Sequence, residues 1–196
     1  HQTGFMYGLM MPIMLRASAV LQDVWDAKEA VELIRSERVS FTMASTPFLT
    51  DLTKTVQDTA QAVPTLKTCL GAGAPIPGPL VEQARKTLGT KIVSAWGMTE
   101  NGAVTLIKLD DDDQLACSTD GCPLPGVEVK VLDCMPMHLG WRSLGDEMKA
   151  FDPDIIAIGE NHALYANEAM KAFVLASEMA PRAKRIAGGG HFANLY

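Results

Sequence analysis

Apolar positions along the chain follow the helical period of about 3.6 residues in some stretches and the strand period of two in others. The uncharged run Phe5–Leu15 predicts a buried helix that is broken near Pro12, and Ser18–Leu21 predicts a strand. Asp26 lies three residues before Glu29, which is typical of a capping box at a helix start. The first part of the chain therefore predicts helix, strand and helix.

The middle of the chain repeats the order strand, loop and helix. One helix is predicted to open at Thr46-Pro47, because proline is favoured in the first helical turn, and Leu80–Leu88 predicts another, stopped by Gly89. Strands are predicted at Val39–Met43, Cys69–Leu70 and Lys91–Ala95. Repetition of this order predicts α/β architecture with a parallel sheet.

The last third of the chain predicts a second α/β pattern, a partial doubly wound, Rossmann-like unit. Its predicted elements are a strand of alternating valines (Val127, Val129 and Val131), a helix (Ser143–Phe151), a strand (Asp154–Ile158), an amphipathic helix (Tyr165–Ala180) and a strand (Arg185–Ala187). The acidic run Asp110–Asp113 before this region offers carboxylates to a cation, but four adjacent acids favour a solvated turn.

Composition excludes several classes of protein. Hydrophobic residues make up 47% and charged residues 20% of the 196, which indicates a folded chain. The formal net charge of −6 argues against a nucleic-acid or membrane-surface binder. No apolar run is long enough to span a bilayer and no signal peptide is visible, so we expect a cytoplasmic protein. A chain that begins at His1 is expected to be a fragment, a processed product or a trimmed sequence.

The four cysteines lack the spacing of a metal site. None of them forms a C-x-x-C pair, and they are few for a disulfide framework, so we expect reduced thiols. Their positions are Cys69, Cys117, Cys122 and Cys134.

Two short segments carry most of the candidate chemistry. The first is a loop of small residues that lets a planar ligand approach the backbone: Gly71, Ala72, Gly73, Ala74 and Pro75. The second runs from Trp96 to Glu100 and offers an aromatic face, a hydroxyl donor at Thr99 and a hard oxygen ligand for Mg²⁺ at Glu100, with a tight turn predicted at Gly97. Together they suit a nucleotide with its metal at strand carboxyl ends. Two ordinary strand–turn connections explain the spacing equally well.

Five motifs follow one another over residues 1–133: HQTGF, TPFL, GAGAPIP, WGMTENG and TDGCPLPGVEVKVLD. In this order and approximate spacing they resemble the adenylate-forming superfamily, the AMP-binding acyl-CoA synthetases. WGMTE is similar to that family's YGMTE-type signature, with Trp in place of Tyr. Among its members, the resemblance is strongest to acyl- and cyclohexanecarboxylate–CoA ligases.

The resemblance implies a reaction and a role for each matched residue. ATP and a carboxylic acid give an acyl-adenylate and pyrophosphate, and CoA then displaces AMP. Gly71–Pro75 would lie along the adenine, and Trp96, with Gly97 and Met98 beside it, would stack on the base. Thr99 and Glu100 are the implied catalytic residues, Thr99 on a phosphate and Glu100 on Mg²⁺. His1 matches a histidine near the acyl pocket.

Several parts of that family's machinery have no match in the chain. Its phosphate loop should precede residue 1, its ribose-binding Asp should follow residue 133, and its C-terminal domain carries a catalytic Lys. We therefore expect this chain to be inactive alone. We also expect it to self-associate through the apolar run Phe5–Leu15.

The tail, residues 126–196, resembles the cobalamin-binding domain that precedes some radical S-adenosylmethionine enzymes. The matching segments are LDCMPMHLGWRSL, FDPDIIAIGENHALY and RIAGGGH. Gly188–Gly190 would then face the cofactor, or form a simple turn. The widespread Asp-x-His-x-x-Gly signature is not met, because Asp133 lies five residues before His138. His138 is therefore predicted to be a surface residue, and His162 and His191 polar rim residues.

The two resemblances divide the chain into residues 1–133, an AMP-binding fragment, and residues 134–196, a cobalamin-binding-like fragment. They meet at Gly126–Asp133, which fits a strand of either family. A chimera of two genes and a single natural protein both account for this meeting point. The competing functions are a fragment of an acid–CoA ligase, a cobalamin-binding module and an inactive chimeric chain.

Overall fold

The computed structural model of this chain describes residues 3–99, 102–134, 137–160 and 166–189. It divides into two units, residues 1–128 (unit 1) and residues 129–196 (unit 2). The division falls inside the segment Gly126–Asp133, where the two sequence resemblances meet. Each unit is an α/β arrangement in its own right.

A five-stranded sheet forms the centre of unit 1, with the strands in the order β1-β2-β3-β4-β5. Its strands are Phe41–Ala44 (β1), Thr68–Gly71 (β2), Lys91–Met98 (β3), Gly102–Leu106 (β4) and Cys122–Pro123 (β5). The first three run parallel, whereas β4 is antiparallel to β3 and β5 is antiparallel to β4. The α/β class and the parallel part of the sheet confirm the prediction from the sequence.

Three helices pack beside the parallel strands and form the core with them. They span Ala27–Ser36 (α2), Thr46–Thr59 (α3) and Gly78–Leu88 (α4). Their inward side chains are apolar at helical spacing, and the core includes Val31, Ile34, Leu49, Leu52, Val56, Val81, Ala84 and Leu88. Burial of this apolar surface supplies the main driving force for the unit.

Local signals at the helix ends confirm three predictions. The Asp26 side chain accepts a 2.9 Å hydrogen bond from the backbone N–H of Glu29 and so caps α2. Helix α3 begins at Thr46, with proline in its first turn. Helix α4 ends at Leu88, and Gly89 follows in the left-handed conformation with φ 65°.

Three expectations about burial and strands are wrong. Phe5–Leu15 is helical, as a π-helical segment Gly4–Met10 followed by α1 (Met11–Leu15), but none of its residues is buried. Ser18–Leu21 and the alternating valines from Val127 to Val131 form no strand. Neither segment is hydrogen-bonded to a neighbouring strand in the part of the chain that the structure describes, although the valines alternate as a strand requires.

The acidic run Asp110–Asp113 forms a turn, as expected, with one member in an ion-pair cluster. Asp113 lies 2.8 Å from Arg85 and 2.6 Å from Lys91, nitrogen to oxygen. Asp112 accepts a hydrogen bond from the Gln114 N–H and caps a short 3₁₀ helix, Asp113–Cys117. Among the residues described, no three His, Cys, Asp or Glu side chains are grouped to hold a metal ion.

We expect the Asp113 cluster to stabilise unit 1 at neutral pH and to lose that effect in acid. The hydrogen bond from Lys91, with the charges of Lys91 and Arg85, lowers the pKa of Asp113 below its ordinary 3.8, against an opposing effect of burial. A carboxylate with a lowered pKa in the folded state stabilises above its unfolded pKa and stops doing so as the pH falls through the folded value.

Asp113→Asn should therefore lower the free energy of unfolding by less than about 1 kcal/mol at about pH 7, since the pairs are partly exposed. Urea titrations from about pH 7 to about pH 3 should show this difference shrinking below about pH 4. Asp110→Asn, in the same run, is the control and should match wild type throughout. An equal loss for Asp113→Asn at every pH would show that the charge of Asp113 contributes nothing.

Unit 2 contains one strand–helix–strand repeat preceded by a helix. Its elements are Trp141–Phe151 (α5), Ile155–Glu160 (β6), Ala166–Met179 (α6) and Lys184–Gly189 (β7). Strands β6 and β7 pair in parallel, with Ile155 opposite Lys184 and Gly159 opposite Gly188. A small core joins α5, β6, α6 and the turn between α6 and β7: Leu144, Met148, Ile156, Ala176, Ala180 and Ala183. The described part of the tail thus shows a single repeat of the predicted doubly wound pattern.

In the described ranges of both units, no helix is long and apolar enough to cross a bilayer.

Candidate functional site

The parallel strands bring the two chemistry-bearing segments of unit 1 to the same edge of the sheet. Gly71, the last residue of β2, pairs with Ser94 of β3. Strand β3 continues for four residues beyond that pair, to Met98. Trp96 is two residues after Ser94 and therefore shares its face of the strand. It lies just past the point where β2 ends and the small-residue loop begins.

The small-residue loop after β2 is packed against Ile76 and joined to helix α3. Its first residue, Gly71, is buried, and an added Cβ there would lie 2.1 Å from Cδ1 of Ile76. The Thr46 hydroxyl donates a 3.2 Å hydrogen bond to the carbonyl of Pro75 and so connects the loop to the start of α3. An added Cβ at Gly73 would meet nothing within 4 Å, so the outer part of the loop is open to a ligand.

Trp96 lies on β3 opposite Thr105 of β4 and is 39% exposed. The pairing register shifts between Trp96 and Gly97. An added Cβ at Gly97 would lie 2.1 Å from the carbonyl oxygen of Gly102 and 2.9 Å from the Cα of Ala103. The predicted tight turn at Gly97 is therefore wrong: glycine is required there because the backbone of β4 passes against the strand.

Two hydroxyl groups near Trp96 were not identified from the sequence. Ser94 is 3% exposed, and its hydroxyl donates a short hydrogen bond to the carboxylate of Asp120. The Oγ1 of Thr105 is buried and has no hydrogen-bond partner within the described ranges. A buried hydroxyl without a partner is uncommon in folded proteins, because it loses its hydrogen bonds to water without replacement. In the sequence, the threonine in GAVTL is this unpaired hydroxyl, and the aspartate in TDGCPLPG is the partner of Ser94.

The remaining predicted site residues divide into described and undescribed ones. Thr99 follows β3 directly and is exposed, and Met98 is half-buried at the end of the strand. Glu100, predicted to hold Mg²⁺, and His1, predicted near an acyl pocket, lie outside the described residues. The structure thus brings Gly71–Pro75 and Trp96–Thr99 to one sheet edge.

This edge of the sheet combines small residues, an aromatic side chain and hydroxyl groups. Its described groups are backbone amides, an aromatic face and hydroxyls, which suit a planar group with polar edges. The thiol nearest the loop, Cys69 on β2, is fully buried, and burial raises its pKa to about 12. That thiol remains protonated at neutral pH and is therefore not available as a nucleophile.

In unit 2, the predicted glycine segment is only partly described. Gly188 and Gly189 are the last residues of β7 and pair with Gly159 and Glu160 of β6. His138 is exposed, which confirms its prediction as a surface residue. Gly190, His162 and His191 lie outside the described residues.

Comparison with known protein sequences gives consistent matches. The family model described as "AMP-binding enzyme" matches residues 1–139. The medium-chain fatty-acid–CoA ligase of Escherichia coli K12 is 30% identical over 133 residues, which cover 68% of this chain and 23% of that protein. The 2-succinylbenzoate–CoA ligase of Lactococcus lactis is 30% identical over 138 residues, covering 68% of this chain and 29% of that protein. The chain spans about a quarter of the length of these relatives.

Comparison with solved structures gives the same fold. An anthranilate CoA ligase in complex with anthranoyl-AMP superposes with a TM-score of 0.60 at 20% identity, covering 66% of this chain and 25% of that one. An O-succinylbenzoate coenzyme A synthetase from Bacillus subtilis, in complex with ATP and magnesium ion, gives 0.57 at 21% identity, covering 67% and 27%. The α/β fold therefore matches part of a larger fold in both proteins.

Proposed function

The chain belongs to the family of AMP-binding enzymes, and from this membership we propose that its protein is an ATP-dependent carboxylic acid–CoA ligase. In the first step a carboxylate oxygen attacks the α-phosphorus of ATP, giving an acyl-adenylate and releasing pyrophosphate. In the second step the sulfur of CoA attacks the acyl carbon, and AMP leaves. One structural observation supports this proposal: the small-residue loop and Trp96 lie at the same edge of the parallel sheet.

We assign nucleotide binding to this edge. The loop Gly71–Pro75 would lie along the adenine, because residues 73–75 are exposed and an added Cβ at Gly73 would meet nothing within 4 Å. Trp96 would stack on the base with its exposed face. The exposed hydroxyl of Thr99, at the end of β3, would donate to a phosphate oxygen. In this assignment the loop after β2 and Trp96 bind the base, and Thr99 at the end of β3 binds a phosphate.

Magnesium binding stays a prediction for Glu100. Carboxylate oxygens are preferred ligands of Mg²⁺, and the residue directly before Glu100 carries an exposed hydroxyl. When bound, the ion neutralises charge that develops on the phosphates. Thr99 would hold the phosphate oxygens in place from the protein side.

The acid that is activated, and where turnover occurs, are part of the same proposal. The relatives are named for a medium-chain fatty acid and for 2-succinylbenzoate, so aliphatic and aromatic acids both belong in a substrate panel. The matched residues correspond to about a quarter of those proteins. We assign nucleotide recognition to this chain and complete turnover to a protein of the relatives' length.

The proposal predicts weak nucleotide binding that depends on Trp96. Stacking on an aromatic side chain supplies about 1–3 kcal/mol, whereas a millimolar complex needs about 4.1 kcal/mol. We therefore expect dissociation constants of about 1 mM or weaker for both AMP and ATP, and similar ones, because the residues assigned here would bind the base and one phosphate. Ligand-observed NMR of the chain with each nucleotide measures this. Trp96→Ala should weaken both by about fivefold or more.

A matched control separates stacking from a general loss of tryptophan. Trp141 in unit 2 is 46% exposed, and Trp141→Ala should leave nucleotide binding unchanged. Binding of ATP at low micromolar concentration, or binding that Trp96→Ala does not alter, would contradict this placement of the nucleotide.

Two further predictions from the sequence remain to be tested. The comparisons give no support to cobalamin binding by the tail, and the described residues that bear on it are Gly188 and Gly189 at the end of β7. A cytoplasmic location also stays a prediction.

A further inference from the structure

The segment Cys117–Gly121 contacts elements on both sides of the candidate nucleotide site. At its start, an added Cβ at Gly78 would lie 3.3 Å from the Cβ of Cys117, and the Cys117 thiol donates a 3.8 Å hydrogen bond to the carbonyl of Gly78. Gly78 begins α4 directly after the stretch that contains the small-residue loop. At its end, an added Cβ at Gly121 would lie 2.1 Å from the carbonyl carbon and oxygen of Leu106 in β4. This segment, the 117–121 segment, therefore lies close to the backbone at each end.

Asp120 joins the 117–121 segment to β3 through a buried hydroxyl. The Ser94 hydroxyl donates a short hydrogen bond to the Asp120 carboxylate, and Ser94 is 3% exposed. The backbone carbonyl of Ser94 accepts a 3.0 Å hydrogen bond from the N–H of Ile107. Asp120 itself is exposed and forms no ion pair within the described ranges. A carboxylate oxygen of an exposed residue is thus bound to a buried group of β3.

Ser94 lies where the position of Trp96 on β3 is determined. It pairs with Gly71, the last residue of β2 before the small-residue loop. A buried hydroxyl has lost its hydrogen bonds to water and requires an acceptor in the protein, which Asp120 supplies. Trp96 follows two residues later on the same face, and pairing with β4 becomes irregular directly after it. The contact with Asp120 therefore fixes β3 just before the irregularity that contains Trp96.

We propose that Asp120 is a positioning residue of the nucleotide site, which acts through the Ser94 hydroxyl to fix Trp96 relative to the loop Gly71–Pro75. The proposal rests on the nucleotide binding proposed above. The 117–121 segment contacts the start of α4 beyond the loop, and its aspartate contacts β3 before Trp96. Without the carboxylate, the buried hydroxyl lacks its acceptor and β3 shifts, so the indole no longer lies at the distance from the loop that a stacked base requires.

The first test measures the environment of Trp96 without any nucleotide. The chain contains three tryptophans, so Trp25→Phe/Trp141→Phe leaves Trp96 as the one fluorescent indole. In this background Asp120→Ala should shift the emission to longer wavelength, because the indole becomes more exposed to water. Asp120→Asn keeps an oxygen acceptor for the Ser94 hydroxyl and should leave the emission unchanged. Far-UV circular dichroism verifies that each variant is folded.

The second test measures AMP binding to the whole chain by ligand-observed NMR. Asp120→Ala should weaken binding about threefold, which is part of the loss expected for Trp96→Ala. Asp120→Asn should bind AMP as the wild type does. Asp110→Ala is the matched control, because it removes the same charge from an exposed position in the acidic turn and should change neither the emission nor the affinity.

Double variants show whether Asp120 acts through Trp96. Asp120→Ala/Trp96→Ala should bind AMP no more weakly than Trp96→Ala alone, because the effects of residues that act as a unit are not additive. Ser94→Ala should reproduce the effect of Asp120→Ala, and combining the two should add nothing. A contribution of Asp120 to folding alone would instead leave the loss caused by Asp120→Ala unchanged when Trp96 is absent.

Three outcomes would overturn the positioning role. They are an emission and an AMP affinity that Asp120→Ala leaves unchanged, additive losses in the Asp120→Ala/Trp96→Ala variant, and losses from Asp120→Asn equal to those from Asp120→Ala, which would assign the effect to charge. If the wild-type chain binds no AMP but Asp120→Ala still shifts the emission, the nucleotide assignment is wrong, whereas the positioning of Trp96 by Asp120 is supported.

Discussion

Gly97→Ala should lower the free energy of unfolding of unit 1 by about 3 kcal/mol. The added methyl group would lie 2.1 Å from the carbonyl oxygen of Gly102 and 2.9 Å from the Cα of Ala103. Both of these atoms belong to the backbone of β4, so the contact cannot be relieved by rotating a side chain. Strands β3 and β4 must separate to accommodate the methyl group, and the bulge beside Trp96 is lost with them.

Urea denaturation followed by tryptophan fluorescence measures this loss. Gly4→Ala is the control, because an added Cβ there meets nothing within 4 Å and should change stability by less than about 1 kcal/mol. Nucleotide binding by the folded Gly97→Ala variant should also weaken, since Trp96 moves with the strand. A stability within about 0.5 kcal/mol of wild type would show that β4 does not pass as closely as the structure has it.

Predictions from local sequence signals were confirmed in the helices of unit 1. The cap of α2 by Asp26, the start of α3 at Thr46 and the end of α4 before Gly89 depend on residues within one turn of each other. Such signals act through the backbone of the same segment, so the sequence contains all that is needed to identify them.

Predictions that depend on a distant partner were wrong or were not made. The valines from Val127 to Val131 alternate as a strand requires, yet no described neighbour pairs with them. Conversely, the short strands β4 and β5 were not predicted, because pairing with β3 and with each other defines them more than their own residues do. Strand formation is set by the neighbouring strand as much as by propensity.

In the candidate site, too, the order of the motifs was predicted, whereas the features that depend on strand pairing were not. The order of GAGAP and WGMTE along the chain predicted that both segments follow neighbouring parallel strands. The pairing of Gly71 with Ser94, the close approach at Gly97 and the buried hydroxyl of Thr105 follow from the sheet register. A one-residue slip of that register would turn Trp96 to the other face, and no sequence motif specifies the register by itself.

The helical segment Gly4–Leu15 should cause the chain to self-associate at micromolar concentration. Its exposed apolar residues include Phe5, Leu9 and Ile13, which are 54%, 52% and 63% exposed and recur every four residues on one face. Leu21 and Val24 add exposed apolar surface at 76% and 72%. Contiguous apolar surface of this kind associates, because burying it removes it from water.

The double variant Leu9→Lys/Ile13→Lys should weaken self-association about a hundredfold. Each replaced side chain contributes about 1.5 kcal/mol when fully buried in an interface, and about 1.4 kcal/mol corresponds to a tenfold change in the association constant. Sedimentation velocity over a concentration series measures the shift from oligomer to monomer.

Met170→Lys/Val174→Lys is the matched control for this variant. Met170 and Val174 are 51% and 54% exposed on α6, also four residues apart, and the two double variants raise the formal net charge of −6 by the same amount. Equal monomerisation by both variants would mean that added charge, and not the face of Gly4–Leu15, controls association. A wild-type chain that sediments as a single monomer at micromolar concentration would contradict the assignment of this face as an interface.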